Sequence, residues 1–318
     1  MSNPIILNND QVSKILTIPN CIEIIENLFQ EYYDHEHCGL LQMPPKAYLD
    51  IPNGDFRAMP ALVKNTAGIK WCGVHLDDTG TKRRVNIFAK VLINDVDSGK
   101  LLAIMDGEVI TAIRTAAVTA VATKYISRPD AKIGAFIGCG TQTRSQIEAV
   151  LRVRDLSKIH LFDLSKKRAA ALAKRFPDLD TCVCESLEEC LREADIITTL
   201  TPSRKGFIRR EWLKPVVHIN AVGADAEGKR ELEASTLNGM DLIVYDEWVQ
   251  CSHSGELQYS SEITNSARRL QKWCPLSHLV GGELDPRIHK QTLFDATGLA
   301  IEDVVTARFI YEKYRDSQ

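Results

Sequence analysis

Lys46, Arg57, Lys70 and Arg114 are cations set within apolar or small-residue runs, and Asp225 is an acid flanked by alanines. Lys46 follows Met43-Pro44-Pro45, Arg57 sits in Gly54-Asp55-Phe56-Arg57-Ala58-Met59, and Lys70 sits in Gly68-Ile69-Lys70-Trp71-Cys72. A cation turned inward costs several kcal/mol, about as much as a buried unpaired ion, unless it is paired or hydrated. Cations converging on one cavity can hold a carboxylate, arginine with two prongs. The bland alternative for Lys46 and Lys70 is an edge-strand charge reaching water. If faces alternate from Ile69 to Val74, Lys70 shares its face with Cys72 and Val74. Arg114 lies near a helix start, where the local dipole disfavours a cation and invites an anionic partner. Asp225, in Asn220-Ala221-Val222-Gly223-Ala224-Asp225, follows a strand and is placed for general acid/base work.

A second constellation is Ile133 to Ile137, then Gly138-Cys139-Gly140-Thr141-Gln142-Thr143, then an amphipathic run. Further on, Ile159-His160-Leu161-Phe162 ends in Asp163. Strand, glycine turn, helix, strand, acid is the order a dinucleotide site requires. Gly138 permits the turn and Gly140 lets backbone N–H groups approach a pyrophosphate at the helix N-terminus. Thr143 departs from the small third position. Asp163 suits a ribose 2′-hydroxyl and so favours NAD over NADP; Lys166, Lys167 and Arg168 follow at once and keep NADP as the second candidate.

These residues need elements to hold them. A chain of 318 residues accommodates about two domains. Asn9 or Asp10 caps a first helix, Pro19 opens a second, and Ile22, Ile25, Leu28, Phe29 and Tyr32 give the second an apolar stripe. From Leu41 to Met105 short β-rich runs alternate with polar turns, and a helix runs from about Thr111 to Ile126. After Arg128-Pro129-Asp130, strands and helices alternate, which implies a parallel sheet covered on both faces. The expected fold is α/β: a Rossmann dinucleotide-binding domain over 129–292, and an α+β substrate and dimerisation domain over 1–128 joined by 293–318.

The net charge of −3 and the absence of a basic block speak against nucleic-acid binding. The N-terminus lacks a signal-peptide pattern and no apolar stretch reaches bilayer length, so no membrane association and a cytoplasmic location are expected. The cysteines are scattered and odd in number; Cys182 and Cys184 are assigned to opposite faces of a strand and all thiols to the reduced state. His35-x-His37-Cys38 reads as solvated rather than ligating, and no metal is expected.

With these segments in hand, the chain resembles the ornithine cyclodeaminase/mu-crystallin family, in the branch of archaeal-type alanine dehydrogenases. The likeness rests on Met43–Asp50, Gly54–Ala61, Ala67–Lys70, Leu102–Gly107, Thr111–Ala117, Gly138–Gln142, Gly223–Lys229, Ser252–Glu256 and Phe294–Asp303, in order along nearly the whole chain. The resemblance implies a homodimer, NAD as cofactor and a small amino-acid or imino-acid substrate. It implies substrate contacts from Lys46, Arg57, Lys70 and Arg114, with Lys70 and Asp225 catalytic. Cofactor contacts are implied for Arg114, Thr115, Gly138, Gly140, Thr141, Gln142, Asp163, Ala221, Val222, Gly223 and Thr297. Ornithine cyclodeaminases similar to this chain carry Arg where Lys46 stands and an acid where Arg57 lies. Arg57 would repel a distal ammonium, which favours a monoamino substrate. Glu227 also departs from a position where proline is common. The leading expectation is oxidation of L-alanine to pyruvate and ammonia. Ornithine cyclisation, imine reduction and a mu-crystallin-like binding role stay open beside it.

Overall fold

Strict two-residue alternation dictates the first sheet. The computed structural model describes residues 3–34, 41–77, 84–262 and 273–318. It divides into two units, Met1–Thr115 with Leu299–Gln318, and Ala116–Gly298. The first unit contains β1 (Ile5–Leu7), β2 (Leu41–Gln42), β3 (Ala47–Ile51), β4 (Gly54–Val63), β5 (Thr66–Asp77), β6 (Arg84–Asp95) and β7 (Leu101–Asp106). Their order is β1-β7-β6-β5-β4-β2, with β3 also on β4. All pairs are antiparallel except β1 with β7. Arg57, Met59, Ala61 and Val63 on β4, and Lys70 and Cys72 on β5, are buried while Phe56 and Trp71 between them are half-exposed. The expected alternation around Lys70 is therefore present; Val74 is only partly covered.

The N-terminal helices of this unit are α1 (Asn9–Ile15), α2 (Ile18–Asp34) and the start of α3 (Glu108–Ile126). The cap of α1 is Asn8 rather than Asn9 or Asp10: its side chain accepts from Gln11 N–H, and Gln11 reaches back to Asn8 N–H. The stripe on α2 buries Cys21, Ile22, Ile25, Leu28 and Phe29.

Continuous apolar strands dictate the second sheet, as expected of strands buried on both faces. Its elements are β8 (Ile133–Ile137), α4 (Thr143–Val153), β9 (Lys158–Phe162), α5 (Lys166–Ala173), β10 (Asp180–Val183), α6 (Leu187–Arg192), β11 (Ile196–Thr199), β12 (Arg204–Ile208), β13 (Val217–Ala221), β14 (Arg230–Leu232), α7 (Ala234–Gly239), β15 (Leu242–Tyr245), α8 (Trp248–Ser254), β16 (Trp273–Pro275), α9 (Leu276–Val280) and β17 (Gln291–Asp295). The order β10-β9-β8-β11-β13-β17-β15-β16 is parallel throughout, and β12 pairs with β14 separately. The strand order reverses at β8, where α/β sheets open a ligand crevice. The last helix, α10 (Ala300–Asp316), returns to the first sheet and packs on β4, β5 and β6.

Several expectations shift. Strand β17 lies between β13 and β15 in the second sheet, so the return begins at Leu299 and not at 293. Residues Ala116–Ile126 group with the second unit because the C-terminus of α3 is fastened there. Arg154 Nη2 donates to the carbonyls of Thr123, Lys124 and Ser127 at 2.9, 2.8 and 2.8 Å, serving acceptors that a helix end leaves open. The span Gly107–Ile126 does have the length and apolarity of a bilayer span, contrary to expectation, but most of it is buried within the protein, as in a core helix. Cys182 and Cys184 do not face opposite ways: residues two apart on a strand share a face, and their sulfurs lie 3.9 Å apart. His35, His37 and Cys38 lie outside the described residues.

Candidate active site

In the first unit the inward cations meet the start of α10. Lys70 Nζ lies 2.7 Å from Asp303 Oδ2. Arg114 donates from Nε to Asp303 Oδ1 at 3.0 Å and from Nη1 to Glu302 Oε2 at 2.8 Å. All four side chains are buried. Burial, and then the Arg114 charge, hold the Lys70 ammonium below its ordinary pKa, while Asp303 works against both. Burial would raise Asp303, but Arg114 and Lys70 outweigh it and its carboxyl sits low. Glu302 also accepts from Leu299 N–H at 3.3 Å, closing the first turn of α10. Neither acid was assigned a role from sequence, although both stand in the Phe294–Asp303 motif.

Arg57 shares the face of Lys70 but has a nearer partner, with Asp55 Oδ1 2.6 Å from Nε and Oδ2 3.2 Å from Nη2. Its guanidinium also lies 5.6 Å from the Tyr48 ring centre. Lys46 is half-buried just before β3.

In the second unit the glycine turn caps β8. Gly138 has φ +92°, and a Cβ there would lie 2.8 Å from the Leu200 carbonyl oxygen. A Cβ on Gly140 would meet nothing within 4 Å, so the space above the start of α4 is open. Thr143 is not a failed glycine: its hydroxyl donates to the Gly138 carbonyl at 2.5 Å and stitches the helix to the turn. Asp163, ending β9, accepts from Cys139 N–H at 2.8 Å and from Ser165 N–H at 2.7 Å. An open cradle at a helix N-terminus, with an acid on the adjacent strand, fits a dinucleotide. Arg168 Nε lies 3.9 Å from Asp163 Oδ1.

The Asp225 loop follows β13. Asp225 is partly exposed and ion-pairs with Lys229 four residues on in the same loop. The loop is pinned by Glu231, which accepts from Gly223 N–H at 2.9 Å, Thr201 N–H at 2.7 Å, Thr199 Oγ1 at 2.6 Å and Thr201 Oγ1 at 2.7 Å. Burial raises the Glu231 carboxyl, and these donors oppose the rise. Thr297 is positioned by Asp246, which accepts from Thr297 N–H at 2.6 Å and Gly298 N–H at 2.8 Å. Glu231 and Asp246 were missed. Their partners are N–H groups and hydroxyls on other segments, and nothing in the sequence says which of these an acid will hold.

A glycine turn at the reversal point of a parallel sheet, open above a helix N-terminus and followed by Asp163, defines a Rossmann-type dinucleotide-binding protein. Its membership is closer than that. Residues 2–318 match the model of the ornithine cyclodeaminase/mu-crystallin family, and the chain belongs to it. It is 33% identical over 311 residues to the alanine dehydrogenase of Archaeoglobus fulgidus, covering 97% of this chain and 94% of that one. A solved archaeal alanine dehydrogenase dimer with bound NAD superposes with a TM-score of 0.89 at 34% identity, covering 99% and 97% of the two chains. The Thermococcus litoralis Δ1-pyrroline-2-carboxylate reductase, solved with NADH and L-proline, gives 0.89 at 29% identity, covering 98% of each. Other relatives are named ornithine cyclodeaminase and ketimine reductase mu-crystallin.

Proposed function

We propose that the protein is an NAD(H)-dependent amino-acid dehydrogenase whose substrate is a small L-amino acid, alanine first. The observation that carries this reading is the near-full-length likeness to an archaeal alanine dehydrogenase. The open Gly138–Gly140 cradle and the buried cations of the first unit support it. Arg114 commits Nε and Nη1 to Asp303 and Glu302, so Nη2 is its donor for a substrate carboxylate. Lys70, held below its ordinary pKa, donates to the same carboxylate or to the oxo group that forms at Cα. Asp225 takes a proton from the substrate ammonium and passes it to solvent, then takes one from the water that attacks the imine and returns it to the departing nitrogen, giving oxo acid and ammonia. The nicotinamide supplies the hydride exchange at Cα. Gly138, Gly140, Thr141 and Gln142 hold the pyrophosphate side, and Asp163 the ribose. Arg114, Thr115, Ala221, Val222, Gly223 and Thr297 complete the cofactor contacts, and Lys46 and Arg57 the substrate contacts.

We assign it further to a homodimer. Phe56, Trp71 and Phe88 stand 37%, 40% and 66% exposed on the outer face of the first sheet, a larger apolar patch than single surface residues make. A second copy covering that face would bury them, and the solved archaeal relative is a dimer.

The test offers purified protein L-alanine and then L-ornithine with excess NAD, following NADH absorbance and ammonia. NADH formed with alanine is the expected result. Ammonia and proline without net NADH would replace it with the cyclodeaminase reading. Asp225→Asn should abolish turnover and leave NADH binding, followed by nucleotide fluorescence, unchanged; full activity in that variant would remove Asp225 from its role.

A further inference from the structure

The thiols at the end of β10 carry an arrangement that the dehydrogenase chemistry does not use. Cys182 and Cys184 project from one face, with sulfurs 3.9 Å apart. Glu189, in the first turn of α6, turns back to place a carboxylate oxygen within 4.8 Å of both sulfurs. Two hydrogen bonds hold it there: Glu185 N–H donates to Glu189 Oε2 at 2.8 Å, and Ser186 Oγ accepts from Glu189 N–H at 3.1 Å. Cys182 is half-buried and Cys184 buried, while Glu189 is exposed. Cys182 and Glu189 line a cleft of about 470 Å³ together with His160, Ser186 and Glu188, which gives the cluster a route to solvent.

We propose that Cys182, Cys184 and Glu189 form a site for a single thiophilic divalent cation, Zn²⁺ being the best fit. Two metal–sulfur bonds of about 2.3 Å at the tetrahedral angle place the sulfurs about 3.8 Å apart, which matches the observed spacing. Glu189 supplies the third ligand, and water from the cleft the fourth. One supporting contact is already made: Glu185 N–H orients the carboxylate, as hydrogen-bond partners of the ligands do at metal sites. Binding needs no oxidant. One cation replaces two thiol protons, which pass to solvent, so affinity rises with pH. A Cys182–Cys184 disulfide is the poorer use of the same atoms. Two residues of extended strand span about 6.6 Å, the upper end of the Cα separations a disulfide bridges.

The test uses the full chain, reduced and stripped with chelator, titrated with Co²⁺. The expected result is one ion per chain, with a thiolate-to-cobalt charge-transfer band and the visible absorption of tetrahedral cobalt, both displaced by Zn²⁺. Cys182→Ser and Cys184→Ser should each lose the charge-transfer intensity. Glu189→Gln should bind about tenfold or more weakly, since loss even of an outer-sphere partner does as much. Cys274→Ser, a thiol elsewhere, should match the wild type. Because a serine variant can fail to fold, Zn²⁺ should also shield Cys182 and Cys184 of the unmodified protein from alkylation, mapped by mass spectrometry. A band that survives Cys182→Ser, or equal alkylation with and without Zn²⁺, would overturn the site. So would a disulfide among Cys182, Cys184 and Cys190 in protein that binds no cobalt after reduction.

Discussion

Lys70 shows how a single residue acquires chemistry from what lies around it. Its position on β5, between the outward Ile69 and Trp71, turns it to the buried face, and that much follows from alternation. What makes it stable there is Asp303, which Arg114 shares. Replacing Asp303 with Asn leaves two buried cations facing one carboxylate, Glu302. Removing one partner of a buried ion cluster costs about 3–5 kcal/mol, and urea unfolding of Asp303→Asn should show a loss of that order. The Lys70 ammonium should fall further below its ordinary pKa, because Asp303 is the group that supports its charge. An Asp303→Asn variant as stable as the wild type would mean the cluster is open to water. Alternation revealed the inward cation. Its counter-charge was not legible, because it comes from the last helix and only the tertiary fold brings the two together.

At the scale of elements, the glycine turn separates what the backbone requires from what a ligand requires. Gly138 has a positive φ and no room for a Cβ, so Gly138→Ala should lower thermal stability whether or not nucleotide is present. Gly140 has open space where a Cβ would stand, so Gly140→Ala should keep its melting temperature. It should nevertheless raise the Kd for NADH about tenfold or more, since a methyl group occupies the approach of the pyrophosphate. Unchanged NADH affinity in Gly140→Ala would remove the turn from the cofactor. The strands beside this turn were legible because parallel strands are apolar on both faces and the helices between them are amphipathic. By contrast β12 and β14 went unseen: Arg204-Lys205-Gly206-Phe207-Ile208 and Arg230-Glu231-Leu232 are short and charged, and pairing alone defines them. The residues of β17 from 293 on were assigned to the first domain, since a sequence does not show which neighbour a segment joins.

Over the whole molecule, stability against pH is set by buried groups of opposite habit. His218 lies between Thr292 Oγ1 and Asn220 Oδ1, each 3.0 Å away, and burial pushes its pKa down to about 3. Its folded pKa is below the unfolded value, so its contribution is present above about pH 6.5 and is lost as the pH falls. Asp295, also buried, is pushed up to about 7, and its contribution runs the other way, full at low pH and lost as the pH rises through 7. Between the two ordinary values the unfolded chain gains a proton at His218 while the folded chain holds one at Asp295, and the slopes cancel. Asp295→Asn should uncover the histidine: stability should fall by about 1.4 kcal/mol for each unit between about pH 6 and 4.5 relative to the wild type, measured by denaturant titration. Parallel slopes would show that His218 is hydrated. The same scale decides the assembly. Phe56 stacks on Trp71 with ring centres 5.6 Å apart, and both stand on the outer face of a sheet whose inner face is covered by α10, on which α2 packs in turn. Soluble monomers rarely expose a face of this kind, and in the proposed homodimer an identical copy would cover it through a self-complementary twofold contact. Phe88→Asp and Trp71→Asp place charges in that contact while leaving the inner face intact. Each should convert a dimer to a monomer in sedimentation velocity with little loss of secondary structure. A wild-type chain that sediments as a monomer would dispose of the twofold contact, and a variant that stays dimeric would move it to another surface.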